Sequence, residues 1–376
     1  MATMVSFGSP RGVEFPLTQD ILYTVLENLG TLPSNYAPAA LVARKWTAPA
    51  QAGLYKCTIR ISVVDTEYGP IIRTRSLLSR TMTTSPHLRC LLRSLRVIAD
   101  DPYRTEDSYL DWLRLVPPHT LRSFEYRCNE PGAFCPALLE APAVQTVPFL
   151  IIHTGPRSMD DLKAVLVPGL ESLVLTVDES FDGDIDWPLP PKLRTLTVSN
   201  YRRWCPALYR LFIALSPQLN TFSTDGPWFV AGDFHTWMES TLARHGRNLK
   251  GLYLTGENVG TAVSGFVGPF LDKLVSHSTR LENLRVVAGA YTDRLFRTLP
   301  PSVKVLEFFG DQLPIPFEDA LLDSIARAGK KEIALSRIVV YSYEFLGVGK
   351  PEVYTGLAEA CSKSGVQFEY VGYDPW

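Results

Sequence analysis

The sequence predicts an α/β chain in two parts. A three-helix module occupies residues 14–56, and an irregular α/β solenoid occupies residues 57–376 as an open arc with a parallel concave sheet. Three observations carry this reading. An apolar stripe at helical period runs from Ile21 to Leu29, and two further short helices follow up to Tyr55. An apolar-x-x-apolar-x-apolar cassette then recurs along the rest of the chain, and helical patterning fills the intervals between its copies. Short strands alternating with helices need crossover connections, which make the sheet parallel.

In the first module Thr18 can cap a helix whose first turn holds Gln19 and Asp20, the carboxylate complementing the positive end of the helix dipole. Ile21, Leu22, Val25, Leu26 and Leu29 form one broad stripe, and Gly30 supplies the stop. A second helix starts near Pro38 and runs through Leu41, Val42 and Trp46; a third opens at Pro49 and ends near Tyr55. So short a segment exposes too much surface to bury these faces by itself. Either the rest of the chain covers them or a partner does.

The order Pro16-Leu17, Ile21-Leu22, Val25-Leu26, Leu41-Val42-x-Arg44-x-Trp46, Leu54-Tyr55 resembles the F-box family. Two positions depart from the family pattern: Ala43 stands where Cys is common, and residues 31–36 make a Pro-containing connection. Neither removes an apolar anchor. The resemblance implies docking on a Skp-type adaptor of a cullin ubiquitin ligase. Pro16, Leu17, Ile21, Leu22, Val25, Leu26, Leu41, Val42 and Trp46 would form that interface or its supporting core.

After the module, Cys57, Ile59, Ile61 and Val63 alternate as a first edge strand that caps the repeat core. The cassette follows at Leu92-Leu95-Val97, Leu121-Phe124-Tyr126, Val144-Val147-Phe149, Leu170-Leu173-Leu175 and Leu193-Leu196-Val198. It continues at Leu219-Phe222-Thr224, Leu249-Leu252-Leu254, Leu281-Leu284-Val286 and Val303-Leu306-Phe308, with weaker copies at Leu335-Ile338-Val340 and Phe368-Tyr370. These intervals cluster near the length of a leucine-rich repeat, which the chain resembles in this part. Helical patterning lies over residues 107–116, 158–165, 205–215, 233–245, 269–276, 317–328 and 352–362. A doubly wound α/β domain would also alternate strand and helix. Its central strands, however, are continuous apolar runs. Here Leu196 and Val198 alternate with Thr195, Thr197 and Ser199, so one sheet face is wet.

Thirty-seven basic and thirty-nine acidic residues give a formal net charge of −2, which implies no global attraction to nucleic acid or an anionic membrane. The first residues carry no secretory-type apolar run, no window approaches a membrane span, and the six cysteines are scattered without a CxxC pair. A cytoplasmic or nuclear chain with reduced core thiols is expected. The sequence has no HExxH, GxSxG, GxGxxG or complete phosphate loop, and Gly347-Val348-Gly349-Lys350-Pro351 reads as a turn. Asp182, Asp184 and Asp186 form an acidic loop with too few ligands for calcium. No cofactor, metal or catalytic residue is expected.

Residues alternating with the buried anchors line the concave face: Arg96, Glu125, Val174, Thr197, Ser223, Tyr253, Arg285 and Glu307. Mixed charges there favour a protein target over a phosphate-rich ligand. Tyr201, Arg202, Arg203, Trp204, Tyr253 and Arg285 are the candidate target-binding residues, because aromatic and Arg side chains dominate hot spots. With the F-box resemblance, the expected function is the substrate receptor of a Skp-cullin-F-box ligase, without chemistry of its own. A repeat scaffold without a ligase, or an α/β hydrolase of unrecognised motif, are the alternatives.

Overall fold

The structure is a computed structural model that describes residues 50–55, 58–63, 69–99, 110–128, 135–177, 179–199, 205–225, 232–255, 271–287, 290–309, 315–343 and 351–373. Its framework is one 12-stranded sheet in which the strands follow chain order and every described pairing is parallel. The strands are β1 (Thr58–Val63), β2 (Ser94–Ala99), β3 (Ser123–Cys128), β4 (Phe149–Ile152), β5 (Ser172–Thr176) and β6 (Thr195–Ser199). They continue as β7 (Thr221–Asp225), β8 (Gly251–Thr255), β9 (Asn283–Val287), β10 (Val305–Phe309), β11 (Arg337–Tyr343) and β12 (Gln367–Tyr373). Nearest-neighbour parallel order without a switch point is consistent with a leucine-rich-repeat-like solenoid. A doubly wound sheet reverses its strand order.

The register has no slip, so equivalent residues of successive strands stack into rows. One inward row holds Leu95, Phe124, Leu150, Leu173, Leu196, Phe222, Leu252, Leu284, Leu306 and Ile338, all at most 1 % exposed. Burying each stabilises by about 1.5–3 kcal/mol before entropy is counted. Helices and turns pack on this same side in a single apolar cluster.

Just before the strands, a second regularity deals with the backbone. Eight carbonyls, those of Arg93, Pro148, Glu171, Arg194, Asn220, Lys250, Glu282 and Lys304, each accept two successive N–H groups from the next repeat. Arg194 O, for example, takes Asn220 N at 2.8 Å and Thr221 N at 3.0 Å. These eight chain reversals are thereby hydrogen-bonded to their neighbours, as buried peptide groups require.

Several expectations need correcting. The third complete cassette is Val147-Leu150-Ile152, because Phe124 pairs in register with Leu150, and Phe149 points to the open face. The motif fits both frames, and only the neighbours choose between them. The interval over residues 107–116 yields a 3-10 turn, Asp111–Leu115, ended by Pro117-Pro118; residues 107–109 lie outside the described part. Helices Gly69–Thr84, Pro142–Gln145 and Asp293–Arg297 were not anticipated. Other helices match: Ser158 caps Met159–Val165 by accepting from Asp161 N at 3.2 Å.

Residues 16–49, which hold the first two expected helices and all nine candidate adaptor-binding residues, lie outside the described residues. Residues 50–55 are helical, and Tyr55 joins the apolar cluster while its carbonyl accepts from Arg93 N at 3.2 Å. β1 pairs with β2 along its full length, the edge strand anticipated after the module.

Candidate functional site

The open face carries the residues that alternate with the buried rows. Its middle row is Arg60, Arg96, Glu125, Ile151, Val174, Thr197, Ser223, Tyr253, Arg285, Glu307, Val339 and Glu369, held side by side by the ladder. The eight residues projected onto this face from sequence all fall in that row.

Toward the carboxy-terminal end the row becomes a connected cluster. Arg285 Nε donates to Glu307 Oε2 at 2.6 Å, and both side chains are mostly covered, at 24 % and 12 % exposure. The guanidinium carbon lies 5.3 Å from the Tyr253 ring centre and 4.8 Å from that of Tyr341. Such stacking on aromatic faces suits a planar guanidinium and not an ammonium. Burial, then the neighbouring Glu307 carboxylate, push the Tyr253 phenol above its ordinary range, while Arg285 works the other way. Gly251 precedes Tyr253 on the same face. A Cβ there would stand 2.8 Å from the tyrosine ring, so the glycine makes the room that the ring uses. Next to this group Arg337 pairs with Glu369, whose hydrogen bond and charge raise the guanidinium pKa.

A second charged group sits at the amino-terminal end. Arg96 Nε is 3.0 Å from Glu125 Oε1, and His153 Nε2 is 2.9 Å from the same oxygen. Beside it runs a hydroxyl ladder: Ser123 Oγ donates to Ser94 Oγ at 2.6 Å, and Thr58 Oγ1 lies 3.1 Å from Ser94 Oγ. Between the two ends, the open-face positions of β4, β5 and β6 are Phe149, Ile151, Ser172, Val174, Thr176, Thr195, Thr197 and Ser199, none of them charged.

Of the candidate target-binding residues, Tyr253 and Arg285 are thus brought together, while Tyr201, Arg202, Arg203 and Trp204 lie outside the described residues. Sequence reading passed over Tyr341, Arg337 and Glu369. The signal was present, since alternation about Ile338 and Val340 already turns Arg337, Val339 and Tyr341 outward. Arg60 was legible in the same way between Ile59 and Ile61.

The acidic loop has an internal partner. Arg210 Nη2 lies 3.2 Å from Asp182 Oδ1, and Arg210 Nη1 pairs with Asp184. Among the described residues no group of three or more His, Cys, Asp or Glu side chains is arranged to hold a metal ion, and no helix is long and apolar enough to cross a membrane. Cys205 and Cys361 are buried, and burial pushes the Cys361 thiol up to about 11. The open face therefore offers rows of hydroxyl, aliphatic, aromatic and guanidinium groups, a surface suited to contact.

No protein-family model matches the chain, and no curated protein matches its sequence. Among solved structures it is similar to the leucine-rich repeat-containing protein LegL7 from Legionella pneumophila, at 12 % identity and a TM-score of 0.38, over 84 % of this chain and 90 % of that one.

Proposed function

We propose that the chain is a protein-interaction scaffold whose open sheet face holds a target, and that residues 14–56 make it the substrate receptor of a Skp-cullin-F-box ubiquitin ligase. The observation that carries the scaffold reading is the middle row opposite the helices, which spans twelve strands in fixed register and is exposed or part-exposed at every position but Val339. A face of this size with Tyr and Arg anchors has the composition of a protein-binding surface. The ligase reading rests on the F-box-like order of Pro16, Leu17, Ile21, Leu22, Val25, Leu26, Leu41, Val42 and Trp46. In this reading the chain does no covalent chemistry. It holds a target near a charged ubiquitin carrier and raises effective concentration.

Co-purification with a recombinant Skp-type adaptor tests the ligase part. Wild type retains the adaptor, and a Leu17→Asp, Ile21→Asp variant with an unchanged melting curve does not. A folded wild type that retains none leaves the scaffold without a ligase. The scaffold part is tested separately: proteins retained by wild type are lost from a Thr197→Arg, Ser223→Arg variant with the same melting curve, and identical retention contradicts it.

A further inference from the structure

The two ends of the open face differ in charge balance. On β9 to β12, Arg285 and Arg337 are matched by Glu307 and Glu369. On β1 to β3 the face carries Arg60, Arg96 and Arg127 against Glu125 alone. Glu125 is already engaged by Arg96 and His153. Arg60 and Arg127 are exposed, and among the described residues neither makes an ion pair. Arg60 also lies beside Arg96 in register, a like-charge neighbour pair that costs stability. From this geometry we infer that the β1–β3 end of the open face docks an acidic, Asp/Glu-rich extended segment of a partner protein. The inference rests on the open face being a protein-binding surface and names what one end of it recognises.

Three features support a row of carboxylates as the occupant. Arg60 lies beside Arg96 in register, and Arg127 follows Glu125 by two residues on β3, so the two arginines flank the Arg96–Glu125 pair diagonally. Separate carboxylates spaced along an extended chain can each take one of these two guanidinium groups. The Arg96–Glu125 contact already displays a guanidinium–carboxylate pair on this surface. The Thr58–Ser94–Ser123 hydroxyl ladder, running alongside, offers donors and acceptors to the main chain of an extended peptide.

Fluorescence anisotropy of a labelled decapeptide alternating Glu and Ser, titrated with the full chain, tests this. The expected result is binding that weakens about tenfold or more between 50 and 300 mM salt. It should be absent for the Gln/Ser analogue and drop at least tenfold in Arg60→Glu, Arg127→Glu. A Lys192→Glu, Lys330→Glu variant, changed equally in net charge on other exposed positions, keeps it. No binding of the acidic peptide overturns the inference, as does binding that survives Arg60→Glu, Arg127→Glu or is lost in both variants. Competition by inorganic phosphate stronger than by the peptide itself also overturns it, in favour of a phosphate site. Each of these leaves the scaffold reading to its own test with Thr197→Arg, Ser223→Arg. If that variant retains every partner as well, the reading beneath the inference has failed.

Discussion

The amino- and carboxy-terminal ends of the open face are built on the same ladder and treat charge in opposite ways. At the carboxy-terminal end Arg285 is stacked between Tyr253 and Tyr341 and tied to Glu307. At the amino-terminal end Arg60 and Arg127 extend from either side of an Arg96–Glu125 pair. A charge matched and half-covered by its own neighbours contributes to the fold. One left without a described carboxylate is, in the inference drawn above, the docking point for a partner. Identical backbone register therefore does not imply identical duty.

The largest test of this contrast is Glu307→Gln. It removes the carboxylate paired with a mostly covered guanidinium and should cost about 2–3 kcal/mol in denaturant unfolding; a cost below about 0.5 kcal/mol would show that this pair does not contribute to the fold. Gly251→Ala pushes a methyl group into the Tyr253 ring and should cost about 1–2 kcal/mol, with a change in near-ultraviolet circular dichroism as the ring shifts. Arg285→Lys keeps the charge and loses the planar stack, for about 1 kcal/mol, which thermal melts can resolve. Glu125→Gln at the other end should cost about 1 kcal/mol of stability and strengthen acidic-peptide binding, the opposite sign of effect on the two properties. Weaker peptide binding would remove the contrast.

The smallest effect at neutral pH comes from Cys361. Burial raises its folded-state thiol pKa from about 9 to about 11. The neutral thiol is the favoured folded form, so its contribution is complete below about pH 9 and is lost as pH rises toward and through 11. Stability should be flat with respect to this group from pH 6 to 8 and decline above 9, and Cys361→Ala should remove part of that decline.

Much of the sheet was legible because a two-residue alternation is enforced by burial. Leu193-Leu196-Val198 cannot face the other way without exposing all three residues. The frame at β4 was not legible, since Val144, Val147, Leu150 and Ile152 are all apolar and only pairing with Phe124 chooses among them. The helix Gly69–Thr84 was hidden by a sequence rich in Ser, Thr and Arg, whose helical tendency is set by its packing more than its pattern. At the site, Arg285 and Tyr253 could be projected onto one face from spacing alone. That Tyr341, three strands from Tyr253, closes over the same guanidinium could not, because contact across strands depends on side-chain reach.

The central claim is that the strands turn one row into the core and the next onto an open face, as β6 does with Leu196 and Thr197. Thermal unfolding of Leu196→Arg and Thr197→Arg, adjacent residues of β6, tests it most directly. The account predicts loss of cooperative folding for Leu196→Arg and a melting temperature within a few degrees of wild type for Thr197→Arg. Equal tolerance of both, or the reverse order, would contradict it.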